Sequence, residues 1–449
     1  MTTDPAVDRS PPRMRGLPII GNLAAYARDP LGFLLRAQRT RGDIVELKFL
    51  SQSSILVSHP DDIESILVTH NKNFIKDRYL QDLQRLLGQG LLTSEGDFWR
   101  RQRRLAQPAF HRERIAAYAK QMVRSTERAM ESWRPSSEMD IHDEMMRVTL
   151  DIVSRTLFSS QVEDAARDVS TAVEAVMARY ADPLVLAIPY YDRLPLPSNW
   201  RFRAAQKRLD EIIYSLLERR HADGDPDMGD LLSLLLAARD EDGSRMTDRQ
   251  VRDEVLTLFL AGHETTALTL TWTLYLLATH ADIERRVAEE VRSVLGSRLP
   301  TIEDMAKLPY TDLVLTESMR LYPPAWSVGR EAVEPFDLRG YRIPAGAQLW
   351  MSQYVVHRDP RYFDAPEEFR PERWANGLAK RLPKFAYFPF GGGPRLCIGN
   401  AFAQTEATLM LATILSKYRC DLVPGQTIEA FPSITLRPKH GMKMRLAAR

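Results

Sequence analysis

Residues 246–280 set the narrowest limits on what this 449-residue chain can become. Thr247, followed three positions later by Gln250, makes a capping-box start. Helical spacing then continues for about 33 residues, roughly 50 Å at the α-helical rise, enough to cross a whole molecule. The centre, residues 256–261 and 268–277, is apolar on nearly every face. Such a helix is buried and not amphipathic. Gly262, His263, Glu264, Thr265 and Thr266 break it too strongly for a simple membrane span.

The rest of the chain predicts a mainly α fold with a small β region. Helical periodicity is read at residues 98–105, 111–133, 142–158, 164–180, 199–221, 283–295, 310–321 and 398–418. Short extended runs fall at 43–50 and 54–58, and a strand-rich patch at 326–354 is punctuated by Gly340 and Pro344-Ala345-Gly346. Residues 181–197 form a greasy loop, a candidate lid. Residues 359–393 carry little regular pattern. Residues 1–15, with Pro11-Pro12 and scattered charges, are expected to be a disordered leader. They contain no apolar run for a signal peptide or membrane anchor.

Lys+Arg total 61 against Asp+Glu 59, a balance that argues against nucleic acid or a polybasic membrane surface as partner. Two cysteines, Cys397 and Cys420, cannot staple a secreted chain of this length, so a reducing cytoplasm is expected.

Chemistry concentrates in Phe390-Gly391-Gly392-Gly393-Pro394-Arg395-Leu396-Cys397-Ile398-Gly399. A cysteine after a glycine-rich loop and just before a helix is placed where a thiolate is favoured. Glycines there let the backbone approach a flat ligand closely. A buried structural cysteine is the plain alternative. Gly391-Gly392-Gly393 is neither a dinucleotide-binding nor a Walker loop, and no neighbouring Cys or His completes a zinc site. A lone thiolate suits a metal held by a macrocycle.

With that decapeptide, the chain resembles the cytochrome P450 superfamily of haem-thiolate monooxygenases. It fits the family's cysteine-loop pattern F-x-x-G-x-R-x-C-x-G at every defined position. Glu317-Ser318-Met319-Arg320 fits the E-x-x-R helix, Pro371-Glu372-Arg373-Trp374 the segment after it, and Ala261-Gly262-His263-Glu264-Thr265-Thr266 the oxygen-activation motif. The resemblance runs from Gly16 to the C-terminus. It implies one haem domain over residues 16–449, replacing the roughly three domains that length alone would allow.

The resemblance also implies roles. Cys397 would ligate haem-b iron, with Phe390 packed beside the sulfur and Gly391 and Gly399 completing the loop. Arg395, Arg330 and the pair Trp99 and Arg103, four residues apart on one helix face, would hold the propionates. Ala261 would face the haem. Gly262 would leave room for dioxygen. Glu264 and Thr265 are expensive in an apolar helix unless satisfied or used, and would relay protons. The Thr265 hydroxyl is expected to bond back to Ala261 or Gly262 and loosen the helix. A kink with a satisfied polar cluster is the structural alternative. Glu317, Arg320 and Arg373 are expected to staple the fold, and His357-Arg358-Asp359 to position a loop.

By the same resemblance, residues 79–92, 176–189, 325–328 and 433–434, with Leu258, Ala261 and Thr265, would line a pocket for a hydrophobic fatty acid, terpenoid, steroid or polyketide. The chain ends at Arg449 without a flavin or iron–sulfur extension, so NAD(P)H-derived electrons are expected from a separate ferredoxin and its reductase. Arg103, Arg104, Arg112 and Arg114 would offer the ferredoxin basic contacts. A haem-thiolate peroxygenase or isomerase, and a non-enzymatic haem sensor, are the competing readings. His263-Glu264 does not open an H-E-x-x-H zinc motif, because the fifth residue is Ala267.

Overall fold

In the computed structural model, residues 9–158, 194–224 and 228–449 are described. The expected helix at 164–180 and the lid at 176–189 lie outside the described residues, as do residues 1–8. Where the sequence suggests one domain from residue 16, the chain gathers into two compact units. Each is built from two separated stretches: Met1–Leu83 with Met319–Cys397, and Gln84–Ser318 with Ile398–Arg449.

The first unit contains a five-stranded sheet. Its order is Ile44–Phe49, Gln52–Val57, Gln348–Met351, Val328–Ala332 and Phe74–Lys76. Only the join between Gln52–Val57 and Gln348–Met351 is parallel. The alternation read from the sequence puts Ile55, Val57, Leu349 and Met351 into a core with Ile63, Ile66, Phe385 and Phe388. Residues 9–15 are held more firmly than a solvated leader would be. The Met14 N–H donates to the Glu46 carbonyl and the Glu46 N–H to the Pro12 carbonyl, both at 2.9 Å. Arg13 pairs with the Glu46 carboxylate at 3.0 Å, and Pro11 is buried. Backbone pairing with a sheet edge orders a segment whose composition offered nothing to bury.

The second unit is built on the long helix, Asp248–Thr279. Thr247 and Gln250 form the expected reciprocal capping box. The helix Ile141–Phe158 packs along it, and Asn400–Leu415 packs against Arg112–Glu131. Its threonines are reconciled with burial locally. Thr265, Thr269, Thr271 and Thr273 each donate to the carbonyl four residues earlier, at 2.7–3.0 Å. The helix expected at 398–418 ends at Leu415. The chain then forms the strand Tyr418–Leu422, paired with Lys443–Ala448. That partner is far away in sequence, and its pairing overrides the helical pattern of the last residues. No described helix is long and apolar enough to cross a membrane.

Candidate functional site

Cys397 lies two residues before Gly399, the N-cap of the buried helix Asn400–Leu415, and is exposed. Its loop is held by backbone. The Cys397 N–H donates to the Phe390 carbonyl at 3.0 Å. Gly391 and Gly393 have φ of 72° and 68°, which side-chain-bearing residues rarely adopt. A Cβ on Gly393 would lie 2.0 Å from the Leu67 carbonyl oxygen, and one on Gly392 would lie 2.2 Å from the Phe385 ring. Arg395 closes the short turn Gly393–Arg395 beside them. Cys420 is buried, and burial pushes its thiol up to about 12, so it carries no thiolate. Only Cys397 has the setting for a metal-binding thiolate.

Arg320 lies beneath this loop's supporting segment. Fully buried, it donates to the carbonyls of His357, Pro366 and Glu368 at 2.9, 2.6 and 3.0 Å. Arg373 reaches the carbonyls of Asp364, Ala365 and, shared with Arg320, Glu368. The two guanidiniums thus tie down a stretch that has little regular structure of its own. Glu317 is fully buried one turn before Arg320 on Pro309–Leu321. Arg358 pairs with Glu367, and Asp359 takes Gln38 and Arg361, so the His357-Arg358-Asp359 cluster positions its loop as expected. His357 is neutral, held well below its usual range by burial, and its Nε2 accepts the Phe388 N–H at 3.0 Å.

In the same unit Arg330 is 9% exposed and Lys76 5%. They sit directly opposite each other on antiparallel strands. Like charges in that register repel unless an anion joins them. Asp77 is the nearby carboxylate, and burial raises its pKa. Gly329 is required there, since a Cβ would lie 1.7 Å from the Asp77 carboxylate. Lys76 was not singled out by sequence. Its one legible signal is a charged residue at a buried position of a short strand.

In the second unit, the middle of the long helix is open while its flanks are closed. Ala261 is exposed and Gly262 and Thr265 are half-buried, between residues 251–259 and 266–274 that are all buried. The Thr265 hydroxyl donates to the Ala261 carbonyl at 2.8 Å, one of the two expected bonds, and the helix continues unbroken through it. A Cβ on Gly262 would meet the Val153 side chain at 3.3 Å, so this glycine also serves helix packing. Glu264 is 2% exposed. Its Oε1 accepts the Thr435 hydroxyl at 2.7 Å and a guanidinium N–H of Arg437. His263, beside it, is buried and kept neutral by that burial. Thr435 and Arg437, over 170 residues away, left no signal in the sequence.

Trp99 is buried on Gly96–Ala106, one turn from Arg103, whose Nε donates to Gln107 at 3.1 Å. Their neighbours Arg101 and Arg104 pair with Asp240, and Arg104 also with Glu241. Arg104 keeps about half of its side chain exposed in these pairs (54%). The Gln89 N–H donates to Asp253 at 2.8 Å and the Leu91 N–H to Glu254 at 3.0 Å, pinning part of the 79–92 loop to the long helix.

In the first unit an accessible thiol just before a helix start and two buried cations suit an iron porphyrin; in the second, by itself, an open helical turn carries Ala261 and Thr265. Comparisons agree. The family profile described as Cytochrome P450 matches residues 11–444. Cyclooctatin synthase of Streptomyces melanosporofaciens is 39% identical over 94% of this chain and 92% of its own length. Pentalenene oxygenase of Streptomyces avermitilis is 35% identical over 96% of each. Among solved structures, retinoic acid-bound cyanobacterial CYP120A1 superposes with a TM-score of 0.86 at 28% identity, covering 98% of this chain and 99% of that one.

Proposed function

Since the chain belongs to the cytochrome P450 family and is a monooxygenase, we propose that it hydroxylates or epoxidises a terpenoid, using electrons from a ferredoxin and its reductase. The observation that carries the haem-thiolate reading is Cys397, the accessible cysteine at a helix start, set against the inert, buried Cys420. The terpenoid class is supported by relatives named cyclooctatin synthase, cyclooctat-9-en-7-ol 5-monooxygenase and pentalenene oxygenase.

In this reading residues 16–449 act as a single haem domain. Haem b, when bound, supplies the iron at which dioxygen is reduced, with thiolate donation favouring O–O cleavage. Cys397 would donate the thiolate, and Phe390 would keep water from its sulfur. The Gly391 and Gly399 backbone would admit the flat group. Arg103, Arg330, Arg395 and Lys76 would offset the charge of the two propionates, and the Trp99 indole N–H would donate to them. Ala261 leaves the open turn low enough for close approach. The Thr265 hydroxyl, parked on the Ala261 carbonyl, can turn to donate a proton, and Glu264 can resupply it. Thr265 on the open turn, with the Glu264 carboxylate buried beside it, supports dioxygen use over a peroxygenase, isomerase or sensor role. Arg112 and Arg114 would meet the ferredoxin.

The deciding experiment is the dithionite-reduced spectrum with and without carbon monoxide, for wild type and Cys397→Ser. A strongly red-shifted Soret band in wild type that disappears in the variant is expected. A band at the position of histidine-ligated haem, or no haem, overturns the reading. Spin-state titration with farnesol, a simple terpenoid alcohol, then tests the substrate class.

A further inference from the structure

Glu264 does not stand alone in its helix. It is gripped by the C-terminal hairpin, Ala430–Pro432 paired with Leu436–Pro438. Thr435 and Arg437 flank Leu436, and the two-residue period of a strand puts both on the side that reaches Glu264. Leu436 makes a second attachment, its carbonyl accepting the Trp272 indole N–H at 2.8 Å. Three consecutive residues therefore hold the long helix at two places, about 12 Å apart along its axis. At the hairpin's open end the Lys439 N–H donates to the Glu429 carbonyl and the two side chains form an ion pair, both at 2.9 Å. The hairpin register spans three pairs, and Pro432 and Pro438 occupy two of them, each lacking a ladder N–H.

The ion pair is end-on. Arg437 reaches Glu264 through one terminal nitrogen, while its buried Nε has no hydrogen-bond partner among the described residues. A two-pronged guanidinium–carboxylate pair would fix the carboxylate more tightly. The single-pronged form holds the carboxylate in place yet allows its other oxygen to move.

We propose that Thr435 and Arg437 are positioning residues for Glu264, aiming its carboxylate so that a proton reaches the Thr265 hydroxyl efficiently. The inference rests on the relay reading of Glu264 and Thr265. Neither hairpin residue is a proton donor in the reaction. They set where the carboxylate stands, and a misplaced carboxylate delivers protons late, so that reduced oxygen is lost as hydrogen peroxide.

The test uses the full-length holoprotein with a plant-type ferredoxin and its reductase as electron donors. Hydrogen peroxide released per NAD(P)H consumed is measured for wild type, Arg437→Gln, Arg437→Lys and Thr435→Val, with the solvent isotope effect on NAD(P)H consumption. Hydrogen–deuterium exchange of residues 430–438 provides a readout independent of turnover. Arg437→Gln and Thr435→Val are expected to raise the peroxide fraction several-fold and enlarge the isotope effect. Arg437→Lys should restore most of both, and exchange in the hairpin should rise in Arg437→Gln. An unchanged peroxide fraction, or equal damage by lysine and glutamine, overturns the proposal and leaves a plain fold contact. If Arg437→Gln does not fold, Thr435→Val and Arg437→Lys still decide. Failure of the haem-thiolate reading would show in the carbon monoxide spectrum, and failure of this proposal only in the peroxide fraction with that spectrum intact.

Discussion

The cysteine loop of the first unit and the open turn of the long helix in the second are held by opposite means. In the loop, backbone does the work: positive φ at Gly391 and Gly393, the Cys397 N–H on the Phe390 carbonyl, and glycines pressed against Leu67 and Phe385. At the open turn the backbone is ordinary helix, and the special features are side-chain bonds from Thr265, Thr435 and Arg437. Backbone-held geometry tolerates almost no substitution, because a Cβ either fits or does not. Side-chain-held geometry degrades by steps, and its loss shows in function before it shows in folding.

The largest effect should come from removing Arg320, the buried one of the two guanidiniums that tie down the loop's supporting segment. Arg320→Ala removes the donor to the His357 and Pro366 carbonyls and one of the two donors to Glu368, and should cost about 3 kcal/mol or more. Thermal unfolding should show a large drop, and Arg320→Lys should recover little of it. Next comes Gly393→Ala, which combines strained φ with a 2.0 Å clash on a carbonyl oxygen. It should abolish most of the red-shifted carbon monoxide band while far-UV circular dichroism stays near wild type. A normal band there would break the contrast at its root.

An effect of the opposite sign, largest at alkaline pH, is expected at Glu406. It is buried on Asn400–Leu415, its Oε2 has no donor among the described residues, and burial pushes its pKa up to about 8. The folded protein keeps this proton where the unfolded chain releases it. Stability from this group is therefore full below about pH 4.5, falls between there and about 8, and levels off above. The slope is on the order of 1 kcal/mol per pH unit. Glu406→Gln should melt higher than wild type at pH 8 and nearly equal to it at pH 5. Equal curves at both would show that Glu406 is solvated. Smallest of all, Arg104→Ala should leave the melting temperature and the rate of reduction by ferredoxin almost unchanged, since Asp240 and Glu241 already offset that charge.

The same contrast explains what could be read in advance. Gly391, Gly393, Cys397 and the Thr247–Gln250 cap act within a few residues, so their pattern is written in consecutive letters. The long helix was legible because burial on every face leaves an unmistakable apolar run. Lys76, Glu406, Thr435 and Arg437 were not, because their meaning lies in which distant group they meet. Residues 9–15 were misjudged for a related reason: their order comes mainly from pairing with an edge of Ile44–Phe49, Pro11 being the one residue among them that is buried. The pairing of Arg104 with Asp240, 136 residues away, left no mark in the sequence either.

The attachment of the segment at 86–91 to the long helix has one more consequence. Arg252 donates to the Leu86 carbonyl at 3.0 Å and Asp253 and Glu254 receive the Gln89 and Leu91 N–H groups. Gly88 and Gly90 are needed because a Cβ on either would collide with Asp253 or Thr257, at 2.1 Å in each case. The loop and the first helical turns are therefore a single unit of exchange. A chimaera that imports a foreign loop to alter selectivity must import the matching residues 252–257 with it, or it will graft a sequence without its shape.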